Sequence, residues 1–373
     1  MSLTSHLKQP QSPVRRFLLE SFPNTGALVG QARKQLIGVP TIRPAGSIPY
    51  GTIGTALDYR LRYYFALTPI KELMAWEGAA QLCGKPRVLS DGVAISNYIS
   101  NEEGEPMLSQ ELIDEFFTGL AGLLDCVQPP RKKLEIHQEE LIARYCIVLA
   151  LFEEVFRAHV AKSPLYNRRY DTVTELLAIT QPHWLTDLCN LSWLFYERFS
   201  YLLSSPAVLN PIFDGSKDIG GADADLILDG YLLDIKTTLN PRVDPQWLYQ
   251  LIGYVLLDFS DSFQLQGVGL YLARQGLLLK WPLYELIQAV TGGRAASLME
   301  LRSRFRELLQ GMQKERQEAK RKWQEQEDRR HRSQRVKWAR EVARRWSAID
   351  AQKLTIRQRK SLERARKFLE QNP

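Results

Sequence analysis

Residues 220–238 constrain the fold more than any other part of the chain, because they encode a tight β-hairpin. Asp229 and Gly230 lie between two apolar runs. A type I′ turn needs positive φ at both of its central positions, and an Asp-Gly pair meets that need. If the turn forms there, Leu228 lies opposite Tyr231, and the register of the whole antiparallel pair follows from this contact.

This register separates charged from apolar side chains, because opposed residues of an antiparallel pair point to the same side and side chains alternate along each strand. One face carries Asp223, Asp225, Asp234 and Lys236. The other face carries residues suited to burial, namely Leu226, Leu228, Tyr231, Leu233 and Ile235. The hairpin therefore predicts a charged cluster supported by an apolar layer.

The opposed carboxylates Asp225 and Asp234 predict a divalent cation, because like charges directly opposite one another destabilise a sheet unless something compensates them. Mg²⁺ prefers oxygen ligands and commonly uses one or two carboxylates, so it suits a pair of aspartates without nearby histidine or thiolate. Lys236 would lie beside the metal, where its ammonium would hold or activate a water molecule for attack on a phosphate. The alternative is an exposed hairpin in which Asp223 and Lys236 form a surface ion pair.

Asp225, followed nine residues later by Asp234-Ile235-Lys236, resembles motifs II and III of the PD-(D/E)XK nuclease superfamily. The run from Asp234 to Thr238 is similar to the D-x-K-T element of its RecB-like branch. The resemblance implies a deoxyribonuclease that hydrolyses phosphodiester bonds with Mg²⁺ or Mn²⁺ held by the two aspartates and the carbonyl of Ile235. Asp223 would be a second ligand or a neighbour that sets the pKa of Lys236.

A second element follows downstream, where Asp244 and Pro245 predict the N-cap and first residue of a helix. This helix contains Gln250 and Tyr254, which share one face at i and i+4 and are similar to the Q-x-x-x-Y motif of RecB-like nucleases. The resemblance implies that both side chains position the substrate. Taken alone, the pair would also fit an ordinary helix surface.

The first motif of the family leaves two candidates open. RecB-like enzymes carry G-x-x-x-H on an upstream helix, and here Gly54 is followed by Asp58, so aspartate replaces the histidine. A carboxylate is still a competent Mg²⁺ ligand, which favours an oxygen-only site over one that prefers Mn²⁺. The rival is Glu197, on the helical run before the sheet, which would otherwise be a solvated residue beside Arg198.

The order of elements indicates an α/β fold and fits the superfamily's core. The resemblance therefore implies a PD-(D/E)XK, restriction-endonuclease-like core, a mixed sheet flanked by helices. We divide the chain into an N-terminal arm (1–50, with a short helix at 14–22), a motif I helix plus large helical insertion (51–204), the nuclease core (205–290) and a helical C-terminal arm (291–373). Helices are predicted at 53–65, 70–82, 109–126, 133–161, 170–180, 184–204 and 245–258. Strands are predicted at 207–213, in the hairpin, at 267–272 and at 277–281.

Basic charge is concentrated at the C-terminal end. Residues 301–373 contain 23 Lys+Arg against 10 Asp+Glu, whereas residues 1–300 are net acidic. Such asymmetry predicts a nucleic-acid partner. Lys and Arg side chains that neutralise phosphates release the counterions bound to the nucleic acid, and this release favours binding. Tryptophans among the basic residues would stack on bases or dock against another protein, or else pack on their own helix. The sequence shows no P-loop or helicase motif, so a motor would come from a partner such as a helicase bound through the arm.

Two function classes remain from the sequence. The first is a DNA nuclease acting in repair, CRISPR-related processing or phage defence, and the second is a non-catalytic nucleic-acid-binding or scaffolding protein that acts through the basic arm. The longest apolar run is far shorter than a bilayer span and the first residues do not resemble a signal peptide, so we expect a cytoplasmic protein without a membrane partner.

The cysteines favour reduced thiols over a cluster. Cys83, Cys126, Cys146 and Cys189 are scattered singly, which predicts reduced, buried side chains. Some RecB-like relatives hold an iron–sulfur cluster through cysteines that follow the nuclease motifs. No cysteine follows Cys189 here, so we expect no iron–sulfur cluster.

Overall fold

The computed structural model describes residues 2–66, 69, 72–85, 87–88, 94–95, 106–127, 133–157, 163–166, 168–222, 224–240, 242–293, 297–349 and 353–372. Two compact units are present, Met1–Arg306 and Glu307–Pro373. The first unit is an α/β body built around a mixed sheet, and the second is helical. The first unit thus includes the segments that the sequence separates into an arm, a helical insertion and a core.

The sheet has five strands in the order β3-β4-β5-β6-β7. Strands β5 and β6 are parallel and the other neighbours are antiparallel. A separate small pair, β1 with β2, precedes them in the chain. The strands are β1 (Arg87–Val88), β2 (Ala94–Ile95), β3 (Ala207–Leu209), β4 (Leu226–Leu228), β5 (Tyr231–Lys236), β6 (Gly267–Leu272) and β7 (Leu277–Pro282).

The hairpin of β4 and β5 has the predicted turn and register. Asp229 and Gly230 have φ values of 53° and 75°, so both central positions are left-handed as expected. Leu228 pairs with Tyr231, and the ladder continues to Leu226 opposite Leu233. The turn chemistry of two residues therefore fixes the register of the whole pair.

The helices of the first unit are α1 (Leu3–Lys8), α2 (Pro13–Ser21), α3 (Thr25–Gln35), α4 (Tyr50–Phe65), α5 (Met74–Leu82), α6 (Gln110–Cys126), α7 (Ile136–Arg157), α8 (Val173–Leu177), α9 (Pro182–Phe199), α10 (Pro245–Leu257) and α11 (Leu283–Thr291). Helices α4 to α9 form one core with the hairpin face that carries Leu226, Leu228 and Leu233. The predicted apolar face of the hairpin is thus buried. The opposite face, with Leu232 and Leu270, is also buried.

Helix α10 begins where its sequence predicts. The side chain of Asp244 accepts a hydrogen bond from the backbone N–H of Gln246 at 2.8 Å, and Pro245 occupies the first helical position. The helix then connects the parallel strands β5 and β6, as a crossover must. It carries Gln250 and Tyr254 back towards the end of β5.

The N-terminal segment differs from the arm predicted for residues 1–50. It forms α1, α2 and α3, and a Cβ on Gly253 of α10 would lie 2.8 Å from the side chain of Leu3, so α1 packs closely on α10. The hydroxyl of Thr25 donates to that of Tyr249 at 3.2 Å. Pro and Gly punctuation predicts breaks between helices but does not reveal that buried leucines join them to the body.

Other boundaries shift modestly. Strand β3 ends at Leu209 rather than 213, because Asn210 takes a left-handed φ of 48°. Helix α7 spans Ile136–Arg157, and the rest of the stretch predicted as helical to 161 lies outside the described residues. The stretch predicted as helical to 204 ends as α-helix at Phe199 and continues as a 3₁₀ turn. Of the cysteines, Cys146 and Cys189 are buried and Cys126 is exposed, contrary to the expectation of burial throughout.

The chain's C-terminal helices are α12 (Leu298–Ser347) and α13 (Ile356–Gln371). Both lie in the stretch 291–373, which the sequence predicts to be helical. Within the second unit, Arg366 of α13 donates to Ser347 of α12 at 3.1 Å, and Trp323 and Trp338 are exposed. Among the helices that the structure describes, none combines the length and the apolar character that crossing a bilayer requires.

Candidate functional site

A cavity of about 440 Å³ lies at the start of β4 and the end of β5, bounded by α4, α7 and α10. It brings together most of the site residues that the sequence predicts. Its lining includes Asp58, Asp225, Asp234, Ile235, Lys236, Gln250 and Tyr254. Residues from three separate parts of the sequence therefore meet at one polar cavity.

Asp225 lies at the start of β4 and is anchored to the neighbouring strand. Its Oδ2 accepts a hydrogen bond from the backbone N–H of Ile235 at 2.7 Å. Burial raises the pKa of this carboxyl well above its ordinary value, and the nearby charges of Asp234 and Asp58 raise it further. The negative charges of the two opposed aspartates therefore repel each other, as the hairpin register predicts.

Asp234 and Lys236 form an ion pair at the end of β5, with 2.6 Å between Oδ2 and Nζ. Burial raises the pKa of Asp234, while the charge and hydrogen bond of Lys236 oppose that shift. The lysine Nζ also donates to Oε1 of Gln250 at 3.2 Å, and the amide of Gln250 donates to the hydroxyl of Tyr254 at 2.9 Å. The predicted i, i+4 pair on α10 thus orients the lysine.

Asp58 of α4 faces the same cavity because the helix approaches the strand closely. A Cβ on Gly54 would lie only 2.9 Å from Oγ1 of Thr237, so glycine permits the approach, and Asp58 follows one turn later. Asp58 forms an ion pair with Arg62, also on α4, while its Oδ1 is buried without a hydrogen-bond partner among the described residues. Burial raises the pKa of Asp58, against the lowering influence of Arg62.

The rival carboxylate does not reach the cavity. Glu197 lies on the exposed side of α9, where its Oε1 accepts from Lys133 Nζ at 3.2 Å and its side chain is 58% exposed. The structure therefore corrects the expectation that Glu197 could serve in the site, and of the two candidates for the first motif only Asp58 lines the cavity. The role predicted for Asp223 falls on a residue outside the described ranges.

Three further charged residues of the cavity, Arg62, Glu153 and Arg157, were not predicted from the sequence. Arg62 lies one turn after Asp58, and this i, i+4 spacing is the local signal that could have revealed it. Glu153 and Arg157 come from α7 and form an ion pair at 2.6 Å. Glu153 also accepts from Tyr59 at 2.5 Å, across 94 residues of sequence, and no local pattern encodes such a contact.

The donor set fits a hard divalent cation. Among the residues that the structure describes, no three His, Cys, Asp or Glu side chains are already arranged as a metal cage. However, Asp58, Asp225 and Asp234 all line one cavity, and mutual repulsion contributes to the raised pKa of Asp225. Carboxylate oxygens are the ligands that Mg²⁺ prefers. Oδ1 of Asp58 has no hydrogen-bond partner among the described residues, so it is available for such a contact. These three carboxylates would hold the ion.

Comparison with known proteins provides no relative. The chain matches no protein-family model, no curated protein and no solved structure.

Proposed function

We propose that this protein is a metal-dependent nuclease of the PD-(D/E)XK type, similar to the RecB-like branch, that hydrolyses phosphodiester bonds in DNA. The observation that supports the proposal best is the convergence of Asp225, Asp234 and Lys236 from the hairpin with Asp58 from α4. A surface ion pair, the alternative for the hairpin, would not require buried carboxylates with raised pKa values.

The carboxylates of Asp58, Asp225 and Asp234 would bind Mg²⁺, or Mn²⁺ in its place. Ile235 also lines the cavity, and its carbonyl would be a further oxygen donor. When bound, the cation would polarise the phosphate and acidify a water molecule. Lys236 lies beside Asp234, where its ammonium orients the attacking water and offsets the negative charge that develops on the phosphate.

Gln250 and Tyr254 would position both the lysine and the substrate. The hydrogen bonds from Nζ of Lys236 to Gln250 and from Gln250 to Tyr254 limit the rotamers of the lysine. Such support matters because a catalytic group must hold its geometry during the reaction. The polar atoms of the pair lie at the cavity wall, where a backbone phosphate would enter.

The test is cleavage of linear, circular and single-stranded DNA by the purified protein, with Mg²⁺ or with EDTA. We expect cleavage with Mg²⁺ alone, and its abolition by Asp234→Ala or Lys236→Ala. Glu197→Ala is the matched control, because this carboxylate lies outside the cavity and should leave activity unchanged. Circular dichroism would verify that each variant folds. Undiminished cleavage by both cavity variants would refute the proposed mechanism.

A second candidate is a non-catalytic nucleic-acid-binding or scaffolding protein. The observation in its favour is the net charge of +13 over residues 301–373, together with the exposed Trp323 and Trp338. Binding of this kind needs no metal and weakens steeply with salt. Binding of DNA that persists in EDTA, without cleavage in Mg²⁺, would select this candidate, and a helicase or other partner would then be sought through the arm.

A further inference from the structure

We propose that a groove leading away from the carboxylate cavity binds the nucleotides that flank the cleaved phosphate of a single-stranded nucleic acid. This inference rests on the proposed nuclease function, because it extends the same site. The groove follows the segment after β5, through Thr238 and Asn240, towards Arg242 and Trp247 at the start of α10.

The groove is continuous because three cavities adjoin. A second cavity of about 560 Å³ shares Tyr50, Lys236 and Thr237 with the carboxylate cavity. A third, of about 310 Å³, shares Thr238 and Asn240 with the second. A polymeric substrate whose phosphate lies beside Lys236 would therefore extend along this path.

Two aromatic rings line the groove, Tyr50 near its start and Trp247 near its far end. Tyr50 lines the first two cavities and is 46% exposed, and its ring lies 5.7 Å from the guanidinium of the buried Arg274, which supports it. Trp247 lines the third cavity, with Nζ of Lys236 5.6 Å from its ring centroid. Aromatic side chains of this kind stack on bases without regard to sequence.

Cationic side chains accompany the rings. Arg33 and Arg242 are exposed and line the third cavity, and two N–H groups of Arg33 donate to the carbonyl of Val243 at 3.0 and 3.2 Å. Those bonds hold the guanidinium beside the groove. Arginine pairs well with phosphate oxygens, so the third cavity offers a base platform and phosphate contacts together.

Burial of the carboxylates favours a single strand over a duplex. The side chain of Asp234 is 5% exposed and that of Asp58 is 15% exposed, so these carboxylates are recessed from the surface. A single strand can bend its backbone into such a recess and turn its bases onto the rings, whereas the bases of a duplex are already stacked and paired.

Kinetics on a fluorescent 12-nucleotide oligothymidine would test the groove. Tyr50→Ala and Trp247→Ala should each raise KM by roughly five-fold or more, the loss expected for one stacked base, and change kcat much less. Trp247→Phe should restore most of the affinity because it keeps a ring. Tyr284→Ala is the matched control, since this tyrosine is 77% exposed and lies outside all three cavities. Unchanged KM in both groove variants would overturn the proposal.

Photocrosslinking separates this inference from the nuclease proposal. An oligonucleotide containing 5-iodouracil, bound to the full chain in EDTA, should crosslink to Tyr50 or Trp247, as mapped by mass spectrometry. Crosslinks in the groove without any Mg²⁺-dependent cleavage would support the groove and refute the nuclease. Cleavage with crosslinks only to the aromatic residues of α12, or equal crosslinking by a duplex, would refute the groove and leave the nuclease standing.

Discussion

The buried ion pair of Arg274 and Asp187 supports the end of the strand that carries Lys236, and its removal should be costly. The guanidinium donates to both carboxylate oxygens of Asp187 at 2.8 and 2.7 Å, and neither side chain is exposed. Its Nε also donates to the carbonyl of Thr237 at 2.7 Å, directly after Lys236. Arg274 thus connects α9 to the site.

Either partner left alone would be an uncompensated buried charge, so Arg274→Met and Asp187→Leu should each reduce the free energy of unfolding by about 3–5 kcal/mol. Arg274→Met should lie at the upper end, because it also leaves the carbonyl of Thr237 without a donor. The double variant contains neither buried charge, so its free energy of unfolding should fall by only about 1–3 kcal/mol. Most of this loss should arise because the carbonyl of Thr237 has no donor.

Urea titrations of the wild type, both single variants and the double variant, followed by far-ultraviolet circular dichroism and tryptophan fluorescence, would measure this coupling. The exposed pair of Arg169 and Asp171 provides a control, since Arg169→Met should cost no more than about 1 kcal/mol. If the loss in the double variant equals the sum of the two single losses to within about 0.5 kcal/mol, the reasoning is refuted, because the effects of independent sites are additive.

Three further substitutions test packing and charge. Gly78→Ala should destabilise the protein by several kcal/mol or prevent folding, because its Cβ would lie 1.7 Å from the carbonyl oxygen of Phe152. Gly122→Ala has open space around its Cβ and should stabilise the protein by roughly 0.5–1 kcal/mol. Thermal melts would measure both changes. Asp225→Asn should raise the melting temperature in EDTA, by an amount that grows as the pH rises from the ordinary aspartate pKa towards the raised pKa of Asp225 in the folded protein. The folded-state pKa of Asp225 is raised, so ionisation costs stability above its ordinary pKa; an equal or lower melting temperature at pH 8 would contradict this.

The parts of the site that the sequence predicts are those encoded by short-range chemistry. Asp229 and Gly230 determine a turn, the turn determines the register, and the register places Asp225 near Asp234. The N-cap and the i, i+4 spacing of α10 likewise place Gln250 and Tyr254 on one face of the helix. In each case the residues that decide the geometry lie within a few positions of one another.

Features that depend on distant segments were not predictable in the same way. Arg274 reads as part of a turn between β6 and β7, and only its partner on α9 explains why it is fully buried. Glu197 has a favourable sequence position before the sheet, but the helical phase of α9 directs it to Lys133 and solvent. Periodicity indicates which face of a helix is apolar, but it does not say which other element a polar residue will meet.

The close approach of α4 to β5 is the packing detail that completes the carboxylate cluster, and Gly54 makes it testable. An added Cβ would lie 2.9 Å from Oγ1 of Thr237, so Gly54→Ala should shift the helix by a few tenths of an ångström and displace Asp58. Alanine also favours the helix, so the protein should remain folded while Mg²⁺-dependent cleavage falls by roughly ten-fold or more. Thr237→Ala in the same chain removes Oγ1 and should restore cleavage. A Gly54→Ala protein as active as the wild type would show that the position of Asp58 does not limit catalysis.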